Sequence, residues 1–285
     1  MISILKHVKR TKSWSIIIDY LIYPIYHFIW SYIINFNGKL LYFLWSLKNK
    51  EFFSLNDNDK LIVDPSADSK KISNKILEES KLFIENSKKE MLSKEYSVSM
   101  SKTSLADGEK PYRISIYEKL SDNLKKEIVQ FASSEKLVTT ASEYMKVFPI
   151  LTRVQVYYNI PRKEAPLRGA MFWHKDGFGF KNLDFFMCVT DVDDSNGPFY
   201  CLEKKINAGI FKSFDYFLKK TGERNKVNLE NFDKKFKANE ILEFKGESGK
   251  AIFLDSFSTF HRGGFCKEKE RIMLRFCYQT HDAIC

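Results

Sequence analysis

The pattern of apolar and polar positions divides the 285 residues into an apolar N-terminal part, a helical middle and a strand-rich C-terminal half. From about residue 150 onward, short apolar runs alternate with turn residues, which is typical of β-strands. The pattern predicts strands over Leu151–Ile160, Ala170–Asp176, Leu183–Val189, Lys250–Phe257 and Arg271–Gln279. A lysine-rich, partly helical insertion at residues 203–240 interrupts them.

Helical periodicity characterises the segment before these strands. Residues 73–100 predict one helix, with Ile76 and Ile84 among its buried positions. A second helix is predicted over Leu120–Leu137, with Ser121 or Asp122 as its N-cap. Its inward positions are predicted to be Ile128, Val129 and Phe131. The polar, turn-rich residues 54–72 predict a linker.

The N-terminal part is almost wholly apolar from Trp14 to Ile34, and a second apolar run covers Leu40–Leu47. Basic residues precede the first run, and its few polar residues would trace one narrow stripe on a helix that Pro24 would kink. Three interpretations stay open at this point. The segment forms helices packed on the body of the protein, an interfacial membrane anchor, or a true membrane span.

Composition restricts the class of protein. Apolar residues make up 44% and charged residues 29%, as in ordinary globular proteins, and the net charge is +10. The lysines are scattered among acidic residues, so the excess charge favours anionic small molecules or lipid surfaces over nucleic acid, which we do not expect as a partner. Five cysteines without Cys-x-x-Cys spacing predict reduced thiols and a cytoplasmic location.

Successive side chains of a strand point to opposite faces, so polar residues two positions apart share one face of a predicted strand. Arg271 and Arg275 share one face of the last strand, while its other face is apolar. The strand from residue 151 likewise groups Gln155 and Tyr157 on one face. Two arginines on one side of an apolar strand are unfavourable unless that side meets a wet cavity or an anion. Several strands with one polar face each predict a barrel with a functional interior.

The segment around residue 174 carries the strongest chemical signal. His174 and Asp176 are two residues apart in a strand, so both side chains point the same way. His261 follows a second buried strand, where it is predicted to project into the mouth of the barrel. Two histidines and one carboxylate are the ligands with which non-haem Fe(II) centres hold one face of the metal.

Such a centre also explains the arginines. Two neutral imidazoles and one carboxylate leave bound Fe(II) with one positive charge, which suits a dianionic chelating co-substrate. The far carboxylate of that co-substrate needs a cation, and an arginine binds a carboxylate through two hydrogen bonds. Arg271 is the predicted clamp, and Arg275 on the same face is the alternative.

These residues resemble the phytanoyl-CoA dioxygenase family, a branch of the Fe(II)/2-oxoglutarate oxygenases. The resemblance covers about residues 150–280 and rests on His174-Lys-Asp176, on Asn196-Gly-Pro198, on His261 and on Arg271. It implies Fe(II) held by His174, Asp176 and His261, with 2-oxoglutarate as co-substrate and O₂ as oxidant. Gln155 falls on the strand that lines the pocket in related hydroxylases.

The resemblance implies a mainly β fold, a double-stranded β-helix or jelly-roll, cupin-like barrel with N-terminal helices. We expect a membrane-associating segment at 1–50, a linker and helical elaboration at 51–149, and the oxygenase barrel at 150–285. The implied reaction hydroxylates a C–H bond of a small-molecule or acyl or lipid-linked substrate and releases succinate and CO₂. The alternatives are a cupin-like metal-binding protein without 2-oxoglutarate turnover and an inactive membrane-associated homologue.

Overall fold

A computed structural model describes residues 29, 33–47, 60–91, 113–161, 169–171, 173–176, 181–203, 226–227 and 236–280. Side chains are described for all of these except 86–91 and 226–227. Several predictions lie outside the described residues: most of the apolar run from Trp14 to Ile34, the end of the helix predicted to reach residue 100, and most of the insertion at 203–240.

Two antiparallel sheets form the body of the protein. The first sheet has the strand order β1 Lys60–Val63, β9 Ala251–Leu254, β5 Asn182–Cys188, β11 Arg271–Gln279, β3 Ile150–Asn159 and β2 Arg113–Ser115. The second has the order β7 Lys226–Val227, β4 Trp173–His174, β10 His261–Gly263, β6 Phe199–Leu202 and β8 Ile241–Phe244. The fold is therefore the predicted mainly β, double-stranded β-helix of the cupin type with helical additions.

The inner faces of the two sheets meet in a small apolar cluster. Ile252, Leu254 and Met273 from the first sheet pack with Phe199 and Phe244 from the second. The outer face of the first sheet carries the larger core, where helices cover it. On β11, Leu274 and Phe276 face this outer core, whereas Arg271 and Arg275 face the interior, as period two predicts.

Three helices cover the outer face of the first sheet, and a fourth precedes them in the chain. The helices are α1 Phe36–Ser46, α2 Ala67–Met91, α3 Asp122–Ala132 and α4 Glu135–Met145. Ile76 of α2 and Ile128 of α3 are fully buried in the outer core. Ser121 is the N-cap of α3, because its hydroxyl oxygen accepts a 3.2 Å hydrogen bond from the Leu124 amide.

Several predicted boundaries were wrong. The single helix expected over Leu120–Leu137 is two helices separated at Ser133, and Val129 is exposed rather than inward. The expected linker at 54–72 contains β1 and the start of α2 in its described part. The strand expected over Ala170–Asp176 is a short 3₁₀ turn followed by two strand residues. His261 follows the strand at Ala251–Leu254, as expected, but it also begins a short strand of its own.

Helix α1 is attached to the body at few points. The Phe148 amide donates to the Gly38 carbonyl at 3.0 Å, and the Tyr42 hydroxyl donates to Glu143 Oε1 at 3.3 Å. The large apolar side chains of the helix and its flanks remain about half exposed, for example Leu44 at 51% and Phe43 at 56%. Among the described residues, no helix is both long enough and apolar enough to cross a membrane.

The Asn-Gly-Pro turn and the turn after His261 pack backbone against backbone. The Gly264 amide donates to the Pro198 carbonyl at 2.7 Å. A Cβ atom on Gly264 would lie 2.3 Å from that carbonyl oxygen, and one on Gly197, whose φ is +71°, would lie 2.5 Å from the Phe265 backbone. Only glycine fits at both positions, which explains these two motifs by packing rather than by direct participation in chemistry.

Candidate metal centre and co-substrate cavity

Backbone pairing brings the two histidines together. His174 in β4 and His261 in β10 are direct partners in an antiparallel pair, and their ring centroids lie 4.3 Å apart. Asp176 follows β4, with its Oδ1 3.7 Å from His174 Nε2 and its Oδ2 3.9 Å from His261 Nε2. One ligand atom from each of the three residues lies within 4.8 Å of the others, a spacing that suits a single metal ion.

The orientation of His261 leaves its metal-facing nitrogen available. Its Nδ1 lies 3.0 Å from the Thr259 carbonyl oxygen, which can only accept a hydrogen bond. The Nδ1 atom therefore carries the proton, and Nε2 presents a lone pair toward Asp176 and His174. A carbonyl behind a histidine is the usual device that fixes the tautomer of a metal ligand.

Asp176 is held in its charged form. Burial alone would raise the pKa of this carboxyl group, but the positive charge of Arg275 and its hydrogen bond outweigh the burial and hold the pKa well below its usual range. The Asp176 amide also donates to the Ser256 carbonyl at 2.9 Å, which fixes the backbone just after β4. A charged, fixed carboxylate is what a metal site requires.

Arg275 is occupied by two carboxylates. Its Nη2 donates to Asp176 Oδ2 at 2.5 Å, and its Nε and Nη2 donate to the two oxygens of Asp184 at 3.0 and 2.8 Å. Asp184 is fully buried and is also held by Asn182 and Ser256. Sequence reasoning missed Asp184, although an acid on the inner face of an apolar strand needs a cationic partner.

Arg271 has a different environment. It is 6% exposed and lines the cavity beside the histidines, yet among the described residues its guanidinium makes only one hydrogen bond, a long one of 3.4 Å from Nη2 to the Gly264 carbonyl. Its Nε and Nη1 are buried without a hydrogen-bond partner among the described residues. A buried guanidinium with two nitrogens that lack partners is unfavourable, and a carboxylate or phosphate in the cavity would stabilise it.

Apolar and polar residues share the walls of the cavity. Phe186, Phe199 and Met273 line it together with His174 and His261. Tyr157, predicted as a pocket residue, lines it as well, and its buried hydroxyl has no partner in the described part of the chain. Gln155 pairs with Arg275 across β3 and β11 but does not line the cavity, although its Oε1 is also buried and unpartnered there.

The buried ion pair between Asp184 and Arg275 is expected to contribute to the free energy of unfolding. Asp184→Asn should lower the free energy of unfolding by roughly 3–5 kcal/mol, because it leaves a buried guanidinium with one carboxylate instead of two. Urea unfolding followed by circular dichroism measures the change. Glu247→Gln is the matched control, since Glu247 pairs with Lys70 on the exposed surface and should have a far smaller effect. Equal effects of the two substitutions would contradict the role of Asp184.

No family model matches the sequence, and no curated protein matches it. Among solved structures, the chain is similar to AviO1 from Streptomyces viridochromogenes Tue57, with 12% identity, coverage of 79% of this chain and 91% of that one, and a TM-score of 0.47. It is also similar to EctD from S. alaskensis with 2-oxoglutarate and 5-hydroxyectoine, with 12% identity, coverage of 80% and 74%, and a TM-score of 0.47. A third similar structure is the epimerase SnoN in complex with Fe³⁺, alpha ketoglutarate and nogalamycin RO. Its identity to this chain is 14%, the match covers 79% of this chain and 80% of that one, and the TM-score is 0.46. These likenesses are too distant to transfer an activity or a substrate to this chain.

Proposed function

We propose that the chain is an Fe(II)- and 2-oxoglutarate-dependent dioxygenase that hydroxylates an unactivated C–H bond of a small-molecule or acyl or lipid-like substrate and releases succinate and CO₂. One observation carries the proposal. A cluster of two histidines and one aspartate shares its cavity with Arg271, a buried guanidinium whose Nε and Nη1 have no partner among the described residues. A plain metal-binding cupin has no need of that unpaired cation.

The residues fit the two absent groups. His174, Asp176 and His261 would hold Fe(II), and Arg271 would bind the distal carboxylate of 2-oxoglutarate. When bound, Fe(II) together with 2-oxoglutarate and O₂ supplies the oxidising chemistry, which is that of the cofactor rather than of the protein.

The chain's own residues position and shield this chemistry. Thr259 fixes the ring of His261, and Arg275 donates to Asp176 Oδ2 while Oδ1 faces His174. Because Arg275 occupies Oδ2, Asp176 would hold Fe(II) chiefly through Oδ1. The phenyl rings of Phe186 and Phe199 line the cavity, where they exclude water and strengthen the electrostatic interactions inside it.

Anaerobic titration with Fe(II) and 2-oxoglutarate, followed by detection of succinate in air against a panel of metabolites, tests the proposal. We expect stoichiometric Fe(II) binding, 2-oxoglutarate binding that depends on the metal, and slow succinate release that the right substrate accelerates. Metal binding without any 2-oxoglutarate binding would favour the cupin-like alternative. Binding of neither would favour the inactive homologue.

We further propose that α1 and the apolar run before it contact a membrane surface peripherally. Leu40, Phe43 and Leu44 are about half exposed, at 46, 56 and 51%, which is unusual for contiguous apolar side chains of a protein that contacts nothing there. Lysines and an arginine precede the apolar run at residues 6–12, and the net charge of +10 complements an anionic lipid surface.

Vesicle sedimentation provides the test of this surface. The full-length protein should pellet with vesicles of phosphatidylcholine and phosphatidylserine, and more weakly with phosphatidylcholine alone. Leu40→Glu combined with Leu44→Glu should weaken binding at least about tenfold, because each buried leucine contributes roughly 1.5–3 kcal/mol. Leu82→Glu, on a leucine of α2 that is 68% exposed, is the control. Absence of pelleting, or a change of oligomeric state in the double variant, would contradict a lipid contact.

A further inference from the structure

A second arginine of the cavity has no carboxylate partner among the residues that the structure describes. Arg113, the first residue of β2, lines the cavity with its guanidinium over the ring of Tyr157, where Cζ lies 3.8 Å from the ring centroid. Its Nε is buried and has no hydrogen-bond partner in the described part of the chain. Stacking on the tyrosine fixes the plane of the guanidinium and leaves its N–H edge for a ligand.

Arg113 and Arg271 are placed to serve different anions. Both pair with Asn159 of β3, Arg113 from β2 and Arg271 from β11, so all three lie in one row across the first sheet. Two strand spacings, about 10 Å, separate the backbones of the two arginines. The Asn159 side chain donates to the Arg271 carbonyl at 3.2 Å and stands between them.

With Fe(II) and 2-oxoglutarate bound, the other charges of the cavity would balance, and the charge of Arg113 would not be compensated. The Arg275 cation is neutralised by Asp184, with which it forms two hydrogen bonds. Fe(II), the Asp176 carboxylate, the 2-oxoglutarate dianion and the Arg271 cation then add up to no net charge. Among the described residues that line the cavity, the charge that remains is that of Arg113, and a cation in a partly buried cavity is stabilised by an anion that binds beside it.

We infer that the substrate carries an acidic group, a carboxylate or a phosphate, that Arg113 binds while an apolar body lies against Phe186, Phe199 and Met273. The inference rests on the proposed function, in which Arg271 is reserved for the co-substrate. The inferred substrates are therefore acids with an apolar portion. The oxidised carbon would belong to that portion, because the apolar side chains line the same cavity as the two histidines.

Calorimetry with matched probes tests this assignment. The probes are hexanoate, hexyl phosphate and the neutral methyl hexanoate, titrated into anaerobic protein with Fe(II), with and without 2-oxoglutarate. Hexanoate or hexyl phosphate should bind at least tenfold more tightly than methyl hexanoate, and the stronger of the two identifies the acid. Arg113→Gln should weaken the anionic probe tenfold to a hundredfold and methyl hexanoate less than twofold, and Arg113→Lys should restore part of the loss.

The same variants distinguish this inference from the proposed function. Arg113→Gln should change the 2-oxoglutarate dissociation constant less than threefold, whereas Arg271→Gln should raise it about a hundredfold. If Arg113→Gln weakens 2-oxoglutarate as much as Arg271→Gln does, Arg113 is a second co-substrate ligand and the inference is wrong, although the proposed function stands. The inference is also wrong if no anionic probe binds more tightly than methyl hexanoate. If the wild-type protein does not bind 2-oxoglutarate, the proposed function is wrong. Tighter binding of hexanoate than of methyl hexanoate that depends on Arg113 would still support the anion site.

Discussion

Replacing His174 with alanine is expected to abolish Fe(II) binding and all metal-dependent turnover. The substitution removes one of three ligands, and even the outer partners of metal ligands change affinity by about tenfold to a hundredfold, so a ligand itself should exceed that. The fold should persist, because His174 lies at the cavity and contributes no side chain to either apolar cluster. Metal content, anaerobic Fe(II) titration and thermal unfolding together measure the effect.

The structure separates the effects expected for the individual ligands. Asp176→Ala should also abolish Fe(II) binding, but it removes a partner of Arg275 and so should destabilise the protein more than His174→Ala does. Asp194→Ala is the control, because Asp194 is an exposed carboxylate bonded to Lys245 and does not line the cavity. Full Fe(II) binding by the His174→Ala variant would show that the proposed metal centre is wrong.

Replacing Arg271 with alanine is expected to raise the dissociation constant for 2-oxoglutarate roughly a hundredfold, which corresponds to the loss of a desolvated, charge-assisted pair of a few kcal/mol. Fe(II) affinity should change little, because among the described residues no hydrogen bond or ion pair joins the Arg271 guanidinium to any of the three proposed ligands. The contrast between the two constants, measured by anaerobic titration, separates a co-substrate clamp from a residue that supports the metal site.

The choice of control follows from the contacts of each arginine. Arg275→Ala is unsuitable as a neutral control, because Arg275 donates to Asp176 and to Asp184 and its loss should weaken Fe(II) binding as well. Arg153→Ala is better, since Arg153 is an exposed arginine of the adjacent strand β3 and does not line the cavity. If Arg275→Ala weakens 2-oxoglutarate and Arg271→Ala does not, their roles are exchanged. If neither does, the cupin-like alternative gains.

The sequence predicted the interior of the barrel better than its edges. Long strands with regular alternation, such as β3 and β11, were found with nearly correct bounds because period two is a strong signal over nine or ten residues. Short strands such as β1 and β2 were missed, because three or four residues without clear alternation cannot be told from a linker. Their place in the sheet depends on pairing with β9 and β3, which is a tertiary contact.

Some residues of the candidate site could likewise be predicted from the sequence, and others could not. His174, Asp176 and Arg271 could be predicted from spacing, since residues two or four apart on a strand share a face whatever surrounds them. The partners of the arginines could not, because Asp184 meets Arg275 across strands that are distant in sequence. The break between α3 and α4 at Ser133 was missed for a related reason. Local periodicity continues through it, and only packing on the sheet determines where the helix turns.

The direct pairing of His174 with His261 makes the geometry of this centre a property of the main chain. A slip of one residue between β4 and β10 would place the two imidazoles on opposite faces of the sheet, whereas exchange of one apolar residue for another in the surrounding core leaves their spacing intact. Substitutions between apolar residues in the core are therefore not expected to disturb the proposed metal centre. Residues that line the cavity can likewise change while the three proposed ligands stay in place.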